Sequence, residues 1–226
     1  MDNILDLSGL ETNRVFIVGN LDGEYDALMR VLWQQRFSYL DTLIVTGGFF
    51  NEENPKSLEM TTFLRNSMNC YSVKGMNEVN FIKSIGDPIK LDVLTKRFGL
   101  NLNDLIIDYI KDLPLVIRYN DYIIVNSGLD PTKDINEQNP DIFYSIGEFD
   151  RDSIFYQYDN PKEESWYTLP YRMGGRRLKV CFGGIYVDDI EVPAGYNLGR
   201  DSKISPVFRC IVLDKTVGKP LIITFQ

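Results

Sequence analysis

Apolar positions in the first half of the chain alternate between two patterns. Residues 15–18 (VFIV) form an unbroken apolar run into Gly19-Asn20-Leu21-Asp22-Gly23, and over 24–35 Tyr25, Leu28, Met29 and Leu32 return at helical spacing. A strand, a glycine-bracketed turn and a helix are therefore predicted. The pattern recurs with a strand over 41–46 ending at Gly47-Gly48, a Pro55-led helix over 56–66, and a strand over 69–73 closed at Gly75. Three successive strands thus end at one edge, where α/β proteins usually place a ligand site. Helices are predicted over 77–85, 89–98 and 103–111, broken by Gly86 with Pro88 and by Gly99.

The pattern changes after Pro114. Residues 115–119 and 122–126 flank Asn120-Asp121 as a hairpin, and 178–182, 184–187, 208–214 and 221–225 read as further strands. Between them, 130–175 is polar and aromatic with little periodicity, which predicts a long, partly structured insertion over the strand edge. No repeat, linker or low-complexity tract divides the chain, so one domain over 1–226 is expected.

Composition narrows the classes of function. At 226 residues, 44% hydrophobic and 25% charged, the chain suits a folded domain with a sizeable core. No apolar run approaches the length of a membrane span, and the start lacks a signal-peptide pattern, so a soluble cytoplasmic protein is the expectation. A net charge of −8 argues against nucleic acid or anionic membrane as a partner. Cys70, Cys181 and Cys210 lie far apart with no CxxC, which suits buried thiols in a reducing compartment. The chain has no histidine, and so lacks both the commonest general acid/base and the commonest transition-metal ligand.

Five spaced stretches over about residues 15–201 resemble the signatures of the calcineurin-like metallophosphoesterases, the branch with Ser/Thr protein phosphatases and diadenosine-tetraphosphatase-like enzymes. These are Gly19-Asn20-Leu21-Asp22-Gly23, the TGGFFNEENP run from Thr46, Gly75-Met76-Asn77-Glu78, Val125-Asn126-Ser127-Gly128 and Phe182-Gly183-Gly184. The resemblance implies an α/β fold, a two-sheet β-sandwich flanked by α-helices. It also implies that the six metal-ligand positions hold Asn20, Asp22, Gly48, Met76, Asn126 and Gly184, of which Asp22 alone has a charged oxygen.

Other positions depart from the family as well. Asn51 stands for its second Asp of that signature, Glu52 for the phosphate-gripping Arg, and Asn77 for the His that protonates the leaving group. Glu78 matches. Gly48 cannot bridge two dications, Glu52 reverses the charge for an anionic substrate, and Asn77 cannot transfer a proton near neutral pH. In their own right Asn20, Asp22, Asn51, Asn77 and Asn126 sit beside glycines or at strand ends, as ordinary turn residues do. A weak oxygen site for Ca²⁺ or Mg²⁺ built from Asp22, Asn20, Asn126 and Glu78 is the rival reading.

Two further features await placement. Arg172, Arg176, Arg177 and Lys179 are either a solvated loop or a site for phosphate or an acidic partner. The rings between Phe143 and Tyr171, with Trp166 and Tyr167 as candidate anchors, either meet a partner or pack the insertion onto the sheets. The sequence thus points to a pseudoenzyme without cofactor that binds a protein partner or self-assembles, in the cytoplasm or in a virion or other large particle. The alternative is a phosphoesterase with a remodelled or single-metal site.

Overall fold

A computed structural model describes residues 3–99, 102–145, 148–149, 155–156, 165–184, 188–199 and 207–226. Its main strands are β1 (Ile4–Asp6), β2 (Arg14–Val18), β3 (Thr42–Val45), β4 (Cys70–Ser72), β5 (Val116–Tyr119) and β6 (Tyr122–Ile124). The short pairs β7 (Glu148–Phe149) with β8 (Phe155–Tyr156) and β9 (Arg172–Met173) with β10 (Arg176–Arg177) form separate hairpins. Then come β11 (Lys179–Phe182), β12 (Glu191–Val192), β13 (Gly195–Asn197), β14 (Phe208–Asp214) and β15 (Leu221–Phe225).

Two large sheets result. One runs β15-β14-β2-β3-β4, with β2, β3 and β4 parallel and β14 antiparallel to both β2 and β15. The other runs β1-β5-β6-β11-β13-β12. Side chains that alternate across each strand build three apolar layers. Val15, Ile17, Ile44 and Ile211 of the first sheet meet Ile117, Ile124 and Cys181 of the second between the sheets. Phe16, Val18, Leu43 and Val45 point the other way, onto helices α1 (Tyr25–Gln34), α2 (Ser57–Asn66), α3 (Met76–Ser84), α4 (Pro88–Phe98) and α5 (Asp108–Asp112).

The outer face of the second sheet is covered by the insertion, not by a set of long helices. Ile135, Trp166, Tyr171 and, from α6 (Ile142–Ser145), Ile142 and Phe143 pack on Val116, Ile123, Val180 and Phe182. The sequence placed this segment over the strand edge. Its described parts within 130–145 and 165–175 pack on the outward-pointing apolar residues of β5, β6 and β11, and 146–147, 150–154 and 157–164 lie outside the described residues. Two other expectations change. Residues 102–107 form a π-turn before α5 where one α-helix was predicted, and Gly184 lies in a bend, with 185–187 outside the described residues. The sandwich itself and the Asn120 hairpin, with Asn120 at φ 52°, are as expected. Among the described residues no helix is long and apolar enough to cross a membrane.

Candidate functional site

The carboxyl ends of β2, β3, β4, β6 and β11 bring the five signature loops together. The first turn is fixed to the second by backbone bonds, since the N–H groups of Leu21 and Asp22 donate to Gly48 O (3.0 and 2.8 Å) and that of Gly23 donates to Phe49 O. Asp22, Gly23, Gly47 and Gly48 all have positive φ, which is the cost of turning the chain this sharply at a strand end.

Glu78 lies beneath these loops and is fully buried. Its two carboxyl oxygens accept from the N–H groups of Gly48, Phe50 and Gly75, each at 2.8 Å, so one side chain ties the second signature loop to the start of α3. Burial pushes this carboxyl up, against the pull of those N–H groups and its own. Asn126 is a second staple. Its Nδ2 donates to Thr46 O at 2.8 Å, its Oδ1 accepts from Met76 N at 3.2 Å, and its backbone oxygen accepts from Gly183 and Gly184. Asn126 is therefore not the self-bonding turn residue that its surroundings in sequence predict. Asn51 is one, with its Oδ1 accepting from Glu53 N at 2.9 Å.

The decisive contact is between Asn20 and Gly48. A Cβ built on Gly48 would fall 1.5 Å from Asn20 Oδ1, so the Asn20 carboxamide occupies the space in which any side chain at 48 would begin. Gly75 is closed by Gly48 N at 2.6 Å and the Asn126 amide at 2.7 Å, and Gly184 by the Asn126 amide at 2.7 Å. A dinuclear metal centre does not fit these residues. The bridging position is sterically filled by a neutral amide, both ends of the Asn126 amide are spent on the backbone, and Asp22 alone of the six positions has a carboxylate. Among the described residues no three His, Cys, Asp or Glu side chains converge where a cation would sit. Asn126 and Glu78, two members of the rival calcium or magnesium set, are thereby committed to the backbone.

An open cleft of about 480 Å³ remains above this floor, with Asp22, Phe50, Asn51, Glu52, Asn77 and Lys90 among its walls. Asn77 Nδ2 donates to Asp22 Oδ1 at 3.1 Å, joining the first and third signatures. Glu52 is ion-paired with Lys90 of α4, and Arg97 donates to its backbone oxygen. The reversal of charge expected at Glu52 is offset by its ion pair with Lys90. The sequence missed Lys90 because α4 lies outside all five signatures.

The candidate interface residues divide. Trp166 is fully buried, with its ring 4.8 Å from that of Phe182, which makes it core and not an anchor open to a partner. Tyr167 stacks on Phe182 and is partly buried. Arg176 and Arg177 are exposed; Arg176 is paired with Asp121 at 2.9 Å, and Arg177 donates to Pro193 O. Lys179 lies over the rings of Tyr122 and Tyr196. Each of these three cations thus has an intramolecular contact, as a solvated surface would give.

No protein-family model and no curated protein matches the chain by sequence. Solved structures do match it. A putative diadenosine tetraphosphatase superposes with a TM-score of 0.76 at 21% identity, covering 98% of this chain and 97% of its own. A protein serine/threonine phosphatase from Saccharomyces cerevisiae with similarity to human phosphatase PP5 gives 0.59 at 14% identity, covering 99% and 82%. A metallophosphoesterase from Sphaerobacter thermophilus gives 0.56 at 13%, covering 95% and 89%. With its paired sheets, its helical layer and five loops meeting at one strand edge, this chain has the fold of the calcineurin-like metallophosphoesterases.

Proposed function

We propose that the chain is a pseudoenzyme, a metallophosphoesterase scaffold that has exchanged turnover for binding and works as a regulatory or assembly protein. The observation that carries this reading is the Asn20 carboxamide standing where a side chain at Gly48 would begin. A bridging carboxylate does more than hold metals. It sets two dications a few Å apart so that one hydroxide and one phosphoryl group are clamped together, and an amide wedged against a glycine supplies neither charge nor space for that. Asn77 stands where the proton donor would be and has no proton to give near neutral pH. The partner in this reading is another protein or a second copy of the chain.

The open cleft with Asp22 on its wall supports a second reading, a phosphoesterase with one weakly held cation. One experiment separates the two. Protein purified without chelators should contain well below one Mn, Fe or Zn per chain by elemental analysis. Its hydrolysis of p-nitrophenyl phosphate and of a dinucleoside tetraphosphate should not exceed that of Asp22→Ala. Two tightly held metals per chain, or turnover abolished by Asp22→Ala, would overturn the pseudoenzyme reading.

A further inference from the structure

The two large sheets leave four edges, and three of them are guarded in the ways that keep a sheet from pairing with a foreign strand. β1 and β4 have three residues each and β12 has two, and β1 and β12 also carry the charges of Asp6 and Glu191. β15 has none of these guards. Its five residues hold no charge and no proline, and they pair one to one with β14 from Leu221↔Val212 to Phe225↔Phe208, so no bulge interrupts them. Alternate residues of an antiparallel edge strand turn N–H and C=O away from their sheet, and among the described residues those of β15 meet no other segment. The strand is held rigid at its end, where Phe225 stacks on Phe208 with centroids 5.2 Å apart and Arg30 Nη2 donates to Gln226 O at 2.9 Å. At its start Leu221 is 56% exposed, as is Val217 in the turn before it.

The two ends of β15 differ in charge. At its start the turn from β14 carries Lys215 and Lys219, both exposed, while Asp214 beside them accepts from the N–H and hydroxyl of Thr216. At its end Thr224 lies across from Arg209, whose Nη2 donates to Asp188 O at 3.0 Å, and this places the exposed Asp188, Asp189 and Glu191 near the Phe225 end. Counting Asp214 at one end and Arg30 and Arg209 at the other, the start is net positive and the finish net negative. An antiparallel neighbour of the same sequence reverses the ends, so that its lysines face these acids and its acids face these lysines. We infer that β15 pairs with β15 of a second copy of this chain, antiparallel about a two-fold axis at Ile223, which joins two five-stranded sheets into one. Leu221 of each copy then lies opposite Phe225 of the other, and apolar residues meet along the strand. A parallel pairing would set lysine against lysine. A strand of unrelated sequence could take the main-chain bonds, but the copy supplies the uncharged strand and the opposite charges together. This edge is separate from the five loops, so the pairing stands whether or not the cleft turns over substrate.

Sedimentation velocity over a dilution series should show a monomer–dimer equilibrium that weakens with added salt. Amide hydrogen exchange at 221–225 should slow as protein concentration rises, which only a strand laid against this edge produces. Lys215→Glu with Lys219→Glu should weaken dimerisation by about tenfold or more, and adding Asp189→Lys and Glu191→Lys to the same chain should restore it, because the two ends have then exchanged signs. All four side chains are exposed, so circular dichroism should show the fold unchanged. If the fourfold variant fails to fold, Leu221→Lys takes its place, since it sets a charge opposite Phe225 of the other copy and should abolish the dimer. The proposal is overturned if the chain stays monomeric up to about 1 mM, if a dimer forms with exchange at 221–225 unchanged, or if the charge reversal leaves the dimer intact. A monomeric chain whose 221–225 amides are protected only by another protein's strand would assign the edge to that protein and overturn self-pairing. Hydrolysis of p-nitrophenyl phosphate by the same samples judges the pseudoenzyme reading separately.

Discussion

Gly48 and Asn20 form one packing unit. With Gly48 at φ 62°, a side chain there strains the backbone and also collides with the Asn20 carboxamide. Gly48→Asp alone should therefore destabilise the fold by about 2 kcal/mol or more. With Asn20→Gly present, the collision is gone and only the backbone term, about 1 kcal/mol, should remain. Urea unfolding of the four chains of this double-mutant cycle measures the coupling. Additive effects, or a single Gly48→Asp within about 0.5 kcal/mol of the parent, would show that the amide is not wedged there. That the five stretches meet at one strand edge was legible in the sequence, because most of them carry a glycine just past a predicted strand. What lies against Gly48 was not legible. Asn20 and Gly48 are distant in sequence, and only the folded turn brings one amide into the other's place; the same holds for Asn126, which bonds the backbone at Thr46 and Met76.

At the scale of the elements, β2 and β3 are joined at their starts by Arg14 and Asp41. Arg14 donates to both Asp41 oxygens, at 3.0 and 2.7 Å, and also to the backbone oxygens of Gln35 and Arg36, while Ser38 donates to Asp41 from its N–H and hydroxyl. The Asp41 side chain is 2% exposed. Burial alone would push its carboxyl up, but Arg14 and Ser38 outweigh that and hold it below the usual carboxylate range. A carboxyl whose folded value lies below its unfolded one contributes fully above the unfolded value and loses the contribution as pH falls through the folded one. Stability should therefore decline below about pH 4. Asp41→Asn should be less stable than the parent by about 2 kcal/mol or more at neutral pH, with the gap closing in acid. Urea melts of both chains across this range decide it, and a gap independent of pH would remove the charge from the explanation. Longer elements at this scale were readable: Asp87 caps α4 through Ile89 N, Pro88 starts it, and Gly99 at φ 58° ends it. β1, β12 and β13 were not, since two or three residues give no period to detect, and their pairing is set by neighbours far along the chain.

At the scale of the whole molecule, the loops at the strand edge are held together without a cluster of three or more His, Cys, Asp or Glu side chains among the described residues. In an active phosphoesterase of this fold the loops at the strand edge carry clustered carboxylates that repel one another until cations neutralise them, so metal and fold are linked. Here the same loops are held by neutral or satisfied groups: Asn126 to Thr46, Glu78 to three backbone N–H groups, and Asn77 to Asp22. The partners in those bonds all come from the chain, while the buried Asn20 Oδ1 has no hydrogen-bond partner among the described residues. Removing trace metal with EDTA should leave the melting temperature within about 1 °C of the untreated protein. A tightly held ion at a thousand times its dissociation constant would stabilise by about 4 kcal/mol, which for a domain of this size is roughly 8–16 °C. The two outcomes are far enough apart for a single pair of calorimetric scans to separate them. A fall of several degrees, restored by Ca²⁺ or Mg²⁺ but not by Zn²⁺, would assign a structural cation to oxygen donors beside Asp22 and reopen the cleft as a binding site.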